Sequence, residues 1–226
     1  MPRITNPVEY FSGLAAEHMA ESVLDESYPV PVGDAHREAV GAVQDTQAVA
    51  TALEGKLQKL ADDKVHMTAE GYNLLRRQAI TEAQDLASEA ARRYARYSEA
   101  AESALLDSSL PAIASDSRES LARQELQVAL GDAKGPDASL RILGIAKSGS
   151  PEVQAVLGTP YARTVLIASG VANVDRVLTD ARKVVAQLGT SPEAQKAAAG
   201  LAKVGKLGGA QASAMAAFRA AMPRQA

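Results

Sequence analysis

The sequence predicts an all-α protein: an extended helical hairpin or bundle with one long helix, at about residues 69–106, followed by a cluster of short helices. Alanine fills 46 of the 226 positions, whereas Trp and Cys are absent and there are only six Tyr and two Phe. A chain with so few large apolar side chains packs its helices through small contacts. It also buries little apolar area per residue, so we expect contacts with other chains to supply part of its stability.

Helix start signals position the first two helices. Asn6 before Pro7 predicts an N-cap followed by proline at the first helical position, and this helix is expected to run to about Leu24. Two closely spaced prolines in YPVPVGD favour extended backbone, so the second helix is expected to begin after a cap at Asp34. Apolar residues at helical spacing then continue to about Asp63.

The third helix is the long one. Thr68 is its predicted N-cap, and no proline or glycine interrupts residues 72–106, which correspond to about 55 Å of helix. Apolar positions recur every eleven residues, a period that keeps them on one face of an almost straight helix. The columns are Leu75, Leu86 and Tyr97; Ala79, Ala90 and Ala101; and Tyr72, Ala83, Tyr94 and Leu105. The residues predicted to form a helix–helix interface are Leu75, Ala79, Leu86, Ala90, Tyr94 and Tyr97.

The segment GDAKGPDAS is the predicted domain boundary, because it gathers four helix breakers in a short span. It separates an acidic long-helix bundle, residues 1–132, from a basic, alanine-rich region of short helices, residues 137–226. Before the boundary, Ser115 or Asp116 is expected to begin a helix that ends at Leu130. After it, six apolar segments are bounded by Gly or by Ser/Thr-Pro, and the glycines near the end predict a tail that folds only on binding.

Two of these segments begin almost identically, with SPEVQ at Ser150 and SPEAQ at Ser191. Serine before proline, with an acid in the first turn, is a general helix start. The segments diverge after the shared glutamine, and a stacked repeat architecture would need about three copies. The similarity therefore favours two helices that are capped alike over a duplicated binding unit.

Charge is unevenly distributed along the chain. Residues 1–140 carry a net charge of −10 and residues 141–226 carry +7, which gives −3 for the whole chain. The basic tail consists of Lys196, Lys203, Lys206, Arg219 and Arg224. At this low charge density, docking on an acidic protein surface is favoured, and the N-terminal half of a neighbouring copy is one such surface. The alternative is a nucleic-acid-associated protein that binds phosphates through this tail.

No catalytic, cofactor or metal-binding motif is present in the sequence. There is no GxSxG, Walker A or GxGxxG pattern, and His18, His36 and His66 show no metal-ligand spacing. We interpret these as ordinary surface histidines and the carboxylate pairs as solvated charges, so a non-enzymatic protein is expected. A helical enzyme with an unrecognised site is the remaining alternative.

The sequence also indicates a compartment. The acidic N-terminal residues lack the pattern of a secretory signal peptide, so secretion by that route is not expected. No apolar run approaches the roughly 18–20 residues that span a bilayer, so no membrane partner is expected. The absence of cysteine fits a reducing compartment.

The segment LADDKVHMTAEGYNLLRRQAITEAQ, with the rest of its helix, covers residues 60–105 and combines a short loop, a Thr-x-x-Gly start and a long alanine-rich helix. It resembles the small helical structural and assembly proteins of tailed bacteriophages, of the scaffold, minor capsid or head–tail connector type. The resemblance implies a non-enzymatic, multi-copy component that contacts itself and capsid or connector proteins. It implies a location in the virion or the host cytoplasm.

Overall fold

A computed structural model describes residues 6–223 of the chain. Within these residues the chain forms nine α-helices and one 3-10 helix, and no β-strand, so the predicted all-α fold is confirmed. The α-helices are α1 (Pro7–Glu21), α2 (Val30–Asp62), α3 (Ala69–Ser109), α4 (Asp116–Leu130), α5 (Gly135–Ser148), α6 (Pro151–Val156), α7 (Pro160–Ala168), α8 (Val174–Leu188) and α9 (Pro192–Ala221). The 3-10 helix, Asp63–His66, lies between α2 and α3.

Most helix starts follow the predicted capping chemistry. The Oδ1 atom of Asn6 accepts hydrogen bonds from the backbone N–H groups of Val8 and Glu9 at the start of α1. The Ser150 hydroxyl accepts from the backbone of Val153, and the Ser191 hydroxyl accepts in the same way at the start of α9. These bonds satisfy N–H groups that have no partner inside a helix.

The start of α2 differs from the prediction. The helix begins at Val30, and the N-cap is Pro29 instead of Asp34. Pro31 therefore lies in the first turn, where its missing N–H would have had no partner inside the helix. The closely spaced prolines lie at the start of this helix and do not move its first residue to a later position.

The last helix, α9, also differs from the prediction. Two separate segments were expected across Gly205, Gly208 and Gly209, but α9 is one helix of 30 residues. Glycine costs about 1 kcal/mol in a helix interior, and tertiary packing commonly offsets such a cost. On α9 the packing is extensive, since Leu207, Ala210, Ala214, Ala217 and Phe218 are all buried.

The chain divides into two compact units, one formed by residues 1–101 and 202–226 and the other by residues 102–201. The segment predicted as the domain boundary, between residues 132 and 137, lies inside the second unit. The physical reason is that α4 and α5, on either side of it, share one apolar core that includes Leu126 and Ile142. Arg141 of α5 strengthens this connection by donating a 2.9 Å hydrogen bond to the carbonyl of Leu130 at the end of α4.

The first unit is held together by α1, α2, α9 and the first part of α3. One apolar cluster joins Val8, Leu53, Ala83 and Phe218, which come from all four helices. A second cluster joins Ala15, Val43 and Leu207 in the same way, with Tyr94 and Tyr97 of α3 packed against it. Small side chains dominate both clusters, as the composition predicts.

Candidate interaction surface

Helices α2 and α3 run antiparallel in the first unit, and two ion pairs define their register. The Nζ atom of Lys56 lies 2.7 Å from Oε2 of Glu82, and Nη1 of Arg93 lies 2.7 Å from Oδ2 of Asp45. Residue numbers therefore increase from 45 to 56 along α2 while they decrease from 93 to 82 at the same levels of α3. All four side chains are about half exposed, so each ion pair contributes at most about 1 kcal/mol to stability.

An apolar groove of about 220 Å³ lies between these two helices, and the Lys56–Glu82 pair is part of its lining. Its lining consists of Ala48, Val49, Ala52, Leu53 and Lys56 of α2 and Ala79, Glu82, Ala83 and Leu86 of α3. Ala48 and Ala52 are exposed at its edge, and Leu86 is 48% exposed. Because the exposed alanines of α2 are small, a further helix can approach this edge closely.

Four of the six predicted interface residues pack inside the chain. Ala79 and Ala90 are only 9% and 3% exposed. Tyr94 and Tyr97 are half-buried and pack against the cluster that contains Leu207 of α9. The close helix approach that the alanine column predicts thus has a partner within the same chain.

The other two, Leu75 and Leu86, lie on the outside of α3, at 42% and 48% exposure. Of the predicted set, they are the side chains that another chain can reach. The α2 side of the groove was missed by the sequence prediction. The available signal was the one-turn spacing of Ala48 and Ala52, but only the register with α3 places these alanines beside Leu86.

Two residues of the basic tail, Lys203 and Lys206, contact protein groups of the first unit. Lys206 lies 2.7 Å from Glu21 of α1, and this pair lowers the pKa of the Glu21 carboxyl and raises the pKa of the Lys206 ammonium. The Nζ atom of Lys203 lies 5.8 Å from the ring centroid of Tyr28, within the range of a cation–π contact. Two of the predicted phosphate-binding cations therefore already interact with protein groups.

The other three tail residues are separated. Lys196 is half-buried in the second unit, Arg219 is exposed on α9, and Arg224 lies outside the described residues. The charge asymmetry of the sequence nearly cancels in the fold, because the basic C-terminal residues join the acidic N-terminal helices. The first unit holds 16 acidic and 14 basic residues, and the second holds 11 and 10.

His36 is the main departure from the expectation of surface histidines, because it is only 5% exposed. Burial lowers the pKa of its imidazole, and the nearby charge of Lys203 lowers it further, whereas a hydrogen bond with the Ser22 backbone opposes the shift. Its Nε2 atom has no hydrogen-bond partner among the described residues. A neutral imidazole is therefore the form that this site accommodates.

Comparison of the chain with protein-family models, with curated proteins and with solved structures finds no match. Across residues 6–223, no group of three or more His, Asp or Glu side chains is arranged to hold a metal ion. Within the same residues, no helix combines the length and the apolar character needed to cross a lipid bilayer. The candidate interaction surface is the groove between α2 and α3.

Proposed function

We propose that this chain is a non-enzymatic structural or assembly protein, which acts in several copies through helix–helix contacts. The observation that carries the proposal is the exposed apolar groove between α2 and α3, with Leu86 at its edge. Small apolar side chains and an exposed leucine form one continuous surface there. Exposed apolar surface of this kind, bordered by charged residues, is typical of protein–protein contacts.

The narrower proposal is that the chain is a virion component of a tailed bacteriophage that contacts capsid or connector proteins. Its support is the resemblance of residues 60–105 to segments of such proteins. Quantitative mass spectrometry of purified phage particles and precursor heads should then find many copies of the chain per particle. Its absence from both would overturn the virion assignment and leave the assembly role to be judged by self-association.

Self-association is tested by sedimentation velocity of the nuclease-treated chain at low and high salt. We expect an oligomer that persists at high salt, because an apolar contact is not screened by ions. A chain that stays monomeric at every concentration would contradict the proposal. A monomer that retains nucleic acid at low salt and releases it at high salt would instead favour the nucleic-acid alternative.

A further inference from the structure

The Lys56–Glu82 pair, which lines the groove, and the Asp45–Arg93 pair, one helical turn beyond its lining on α2, have opposite polarity. At one end the cation, Lys56, is on α2 and the anion, Glu82, is on α3. At the other end the anion, Asp45, is on α2 and the cation, Arg93, is on α3. Eleven residues separate the two pairs on each helix, which corresponds to about 16 Å. The face therefore carries alternating charges at its four corners, with the apolar groove between them.

This charge pattern is complementary to itself. Consider a second copy that is rotated by 180° about a two-fold axis lying in the plane of the face and perpendicular to the helices. In this arrangement α2 of one copy packs antiparallel against α2 of the other. Asp45 of each copy then faces Lys56 of the other, and Arg93 faces Glu82. Opposite charges meet at all four corners.

The apolar residues fit the same arrangement. Leu86 lies between Glu82 and Arg93 along α3, close to the level of the two-fold axis. Ala48 and Ala52 occupy that level on α2, and their small side chains permit close approach. A contact of this kind is isologous: the same patch is used on both copies, and the symmetry closes it as a dimer.

We infer that the α2–α3 groove is the contact between two antiparallel copies of this chain, an inference that rests on the proposed assembly function. The apolar residues supply the affinity, and opposite charges meet at the four corners in this orientation. Glu38, which lies 3.5 Å from Arg93, adds to the negative charge at the Asp45 corner of α2.

Charge swaps test the orientation while the Lys56–Glu82 and Asp45–Arg93 ion pairs keep opposite charges within each chain. The variant K56E/E82K reverses one pair, so that α2 is negative at both ends. The variant E38Q/D45K/R93E reverses the other, so that α2 is positive at both ends. Each variant alone should self-associate about tenfold more weakly than the wild type, and a 1:1 mixture should recover the wild-type affinity.

Circular dichroism and thermal melting of each variant serve as folding controls for this experiment. If the wild type is an oligomer and both variants associate as strongly as it does, the antiparallel contact is ruled out, although the assembly function stands. If the wild type is itself monomeric, the proposed function fails as well. Failure of the inference and failure of the function are thus separate outcomes.

Cross-linking tests the position of the two-fold axis, and the chain has no cysteine to interfere. Leu86→Cys lies near the axis, where two copies bring their Cα atoms close enough for a disulfide, within about 7 Å. Leu75→Cys is the matched control, because its two copies would be about 37 Å apart in this arrangement. A disulfide dimer of Leu86→Cys alone supports the inference, and cross-linking of Leu75→Cys in its place overturns it.

Discussion

The Nζ atom of Lys206 in α9 lies 2.7 Å from Oε2 of Glu21 in α1, so the basic end of the sequence pairs with its acidic beginning. The hydrogen bond from Lys206, followed by its positive charge, lowers the pKa of the Glu21 carboxyl. The charge asymmetry of the sequence favours docking of the tail on an acidic surface. Within this structure, that surface belongs to the same chain.

The Glu21–Lys206 pair should contribute little to stability, because its side chains are 46% and 55% exposed. A double-mutant cycle with Glu21→Gln and Lys206→Gln should give a small coupling energy that falls further at high salt. The free energies of unfolding come from urea titrations at concentrations where the chain is monomeric. A large coupling energy that persists at high salt would contradict the exposed geometry, since such behaviour belongs to desolvated pairs.

His36 should make the first unit less stable in mild acid. Because burial holds the folded-state pKa of His36 below its ordinary 6.5, the unfolded chain binds a proton first as the pH falls. The stabilisation from neutral His36 is therefore complete above about pH 6.5 and is lost as the pH falls through the folded-state pKa. Urea unfolding at pH 8 and pH 5 should show this loss in the wild type.

His36→Gln should reduce that pH dependence, whatever its effect on stability at pH 8. His66→Gln is the matched control, because it makes the same substitution at an exposed histidine. Equal pH dependence in the wild type and in His36→Gln would show that other groups are responsible.

Gln211 should be replaceable by an apolar residue with a gain in stability. Its side chain is 7% exposed, and neither amide atom has a hydrogen-bond partner among the described residues. A buried polar group without a partner costs about 1–3 kcal/mol, and Met has a similar length and flexibility. Gln211→Met should therefore raise the free energy of unfolding by up to about 2 kcal/mol. A loss of stability would show instead that the amide has a bound water or another partner.

Two glycines should respond oppositely to alanine. Gly205 is exposed within α9, and an added Cβ would meet no atom within 4 Å, so Gly205→Ala should stabilise the chain by up to about 1 kcal/mol. Gly189 follows α8, and a Cβ there would lie 2.5 Å from Cβ of Ala194 and 2.7 Å from the Val185 carbonyl oxygen. Gly189→Ala should destabilise by about 1–3 kcal/mol. Thermal melting of both variants checks the two signs, and a destabilised Gly205→Ala would mean that α9 is interrupted as the glycines suggested.

The fold class and most helix boundaries could be predicted because capping and periodicity are local. Asn6, Ser115 and Ser150 each cap the helix that the sequence assigns to them. The continuity of α9 could not be predicted in this way, since the burial of Leu207 and Phe218 against distant helices offsets the cost of its glycines. The same limit applies to GDAKGPDAS. Its local helix breakers predict a domain boundary, although the residues on both sides of it share one core.

Of the two helices that form the candidate surface, the sequence predicted only the residues of α3. The eleven-residue period identified Leu75 and Leu86, but it could not distinguish a column facing its own chain from one facing solvent, because both follow the same spacing. The α2 side of the groove and the alternating corner charges depend on the pairing of Asp45 with Arg93 and of Lys56 with Glu82. Such long-range register is not encoded in any local pattern.

The return of α9 to the first unit has a consequence for synthesis on the ribosome. Helices α1, α2 and the first part of α3 are made before the second unit, whereas residues 202–223, which cover their apolar sides, are made after it. At about 5–20 residues per second, the hundred residues of the intervening unit take roughly 5–20 s to translate. During that interval the N-terminal helices are exposed to chaperones and to other nascent chains, and a prematurely terminated product would lack the helix that completes them.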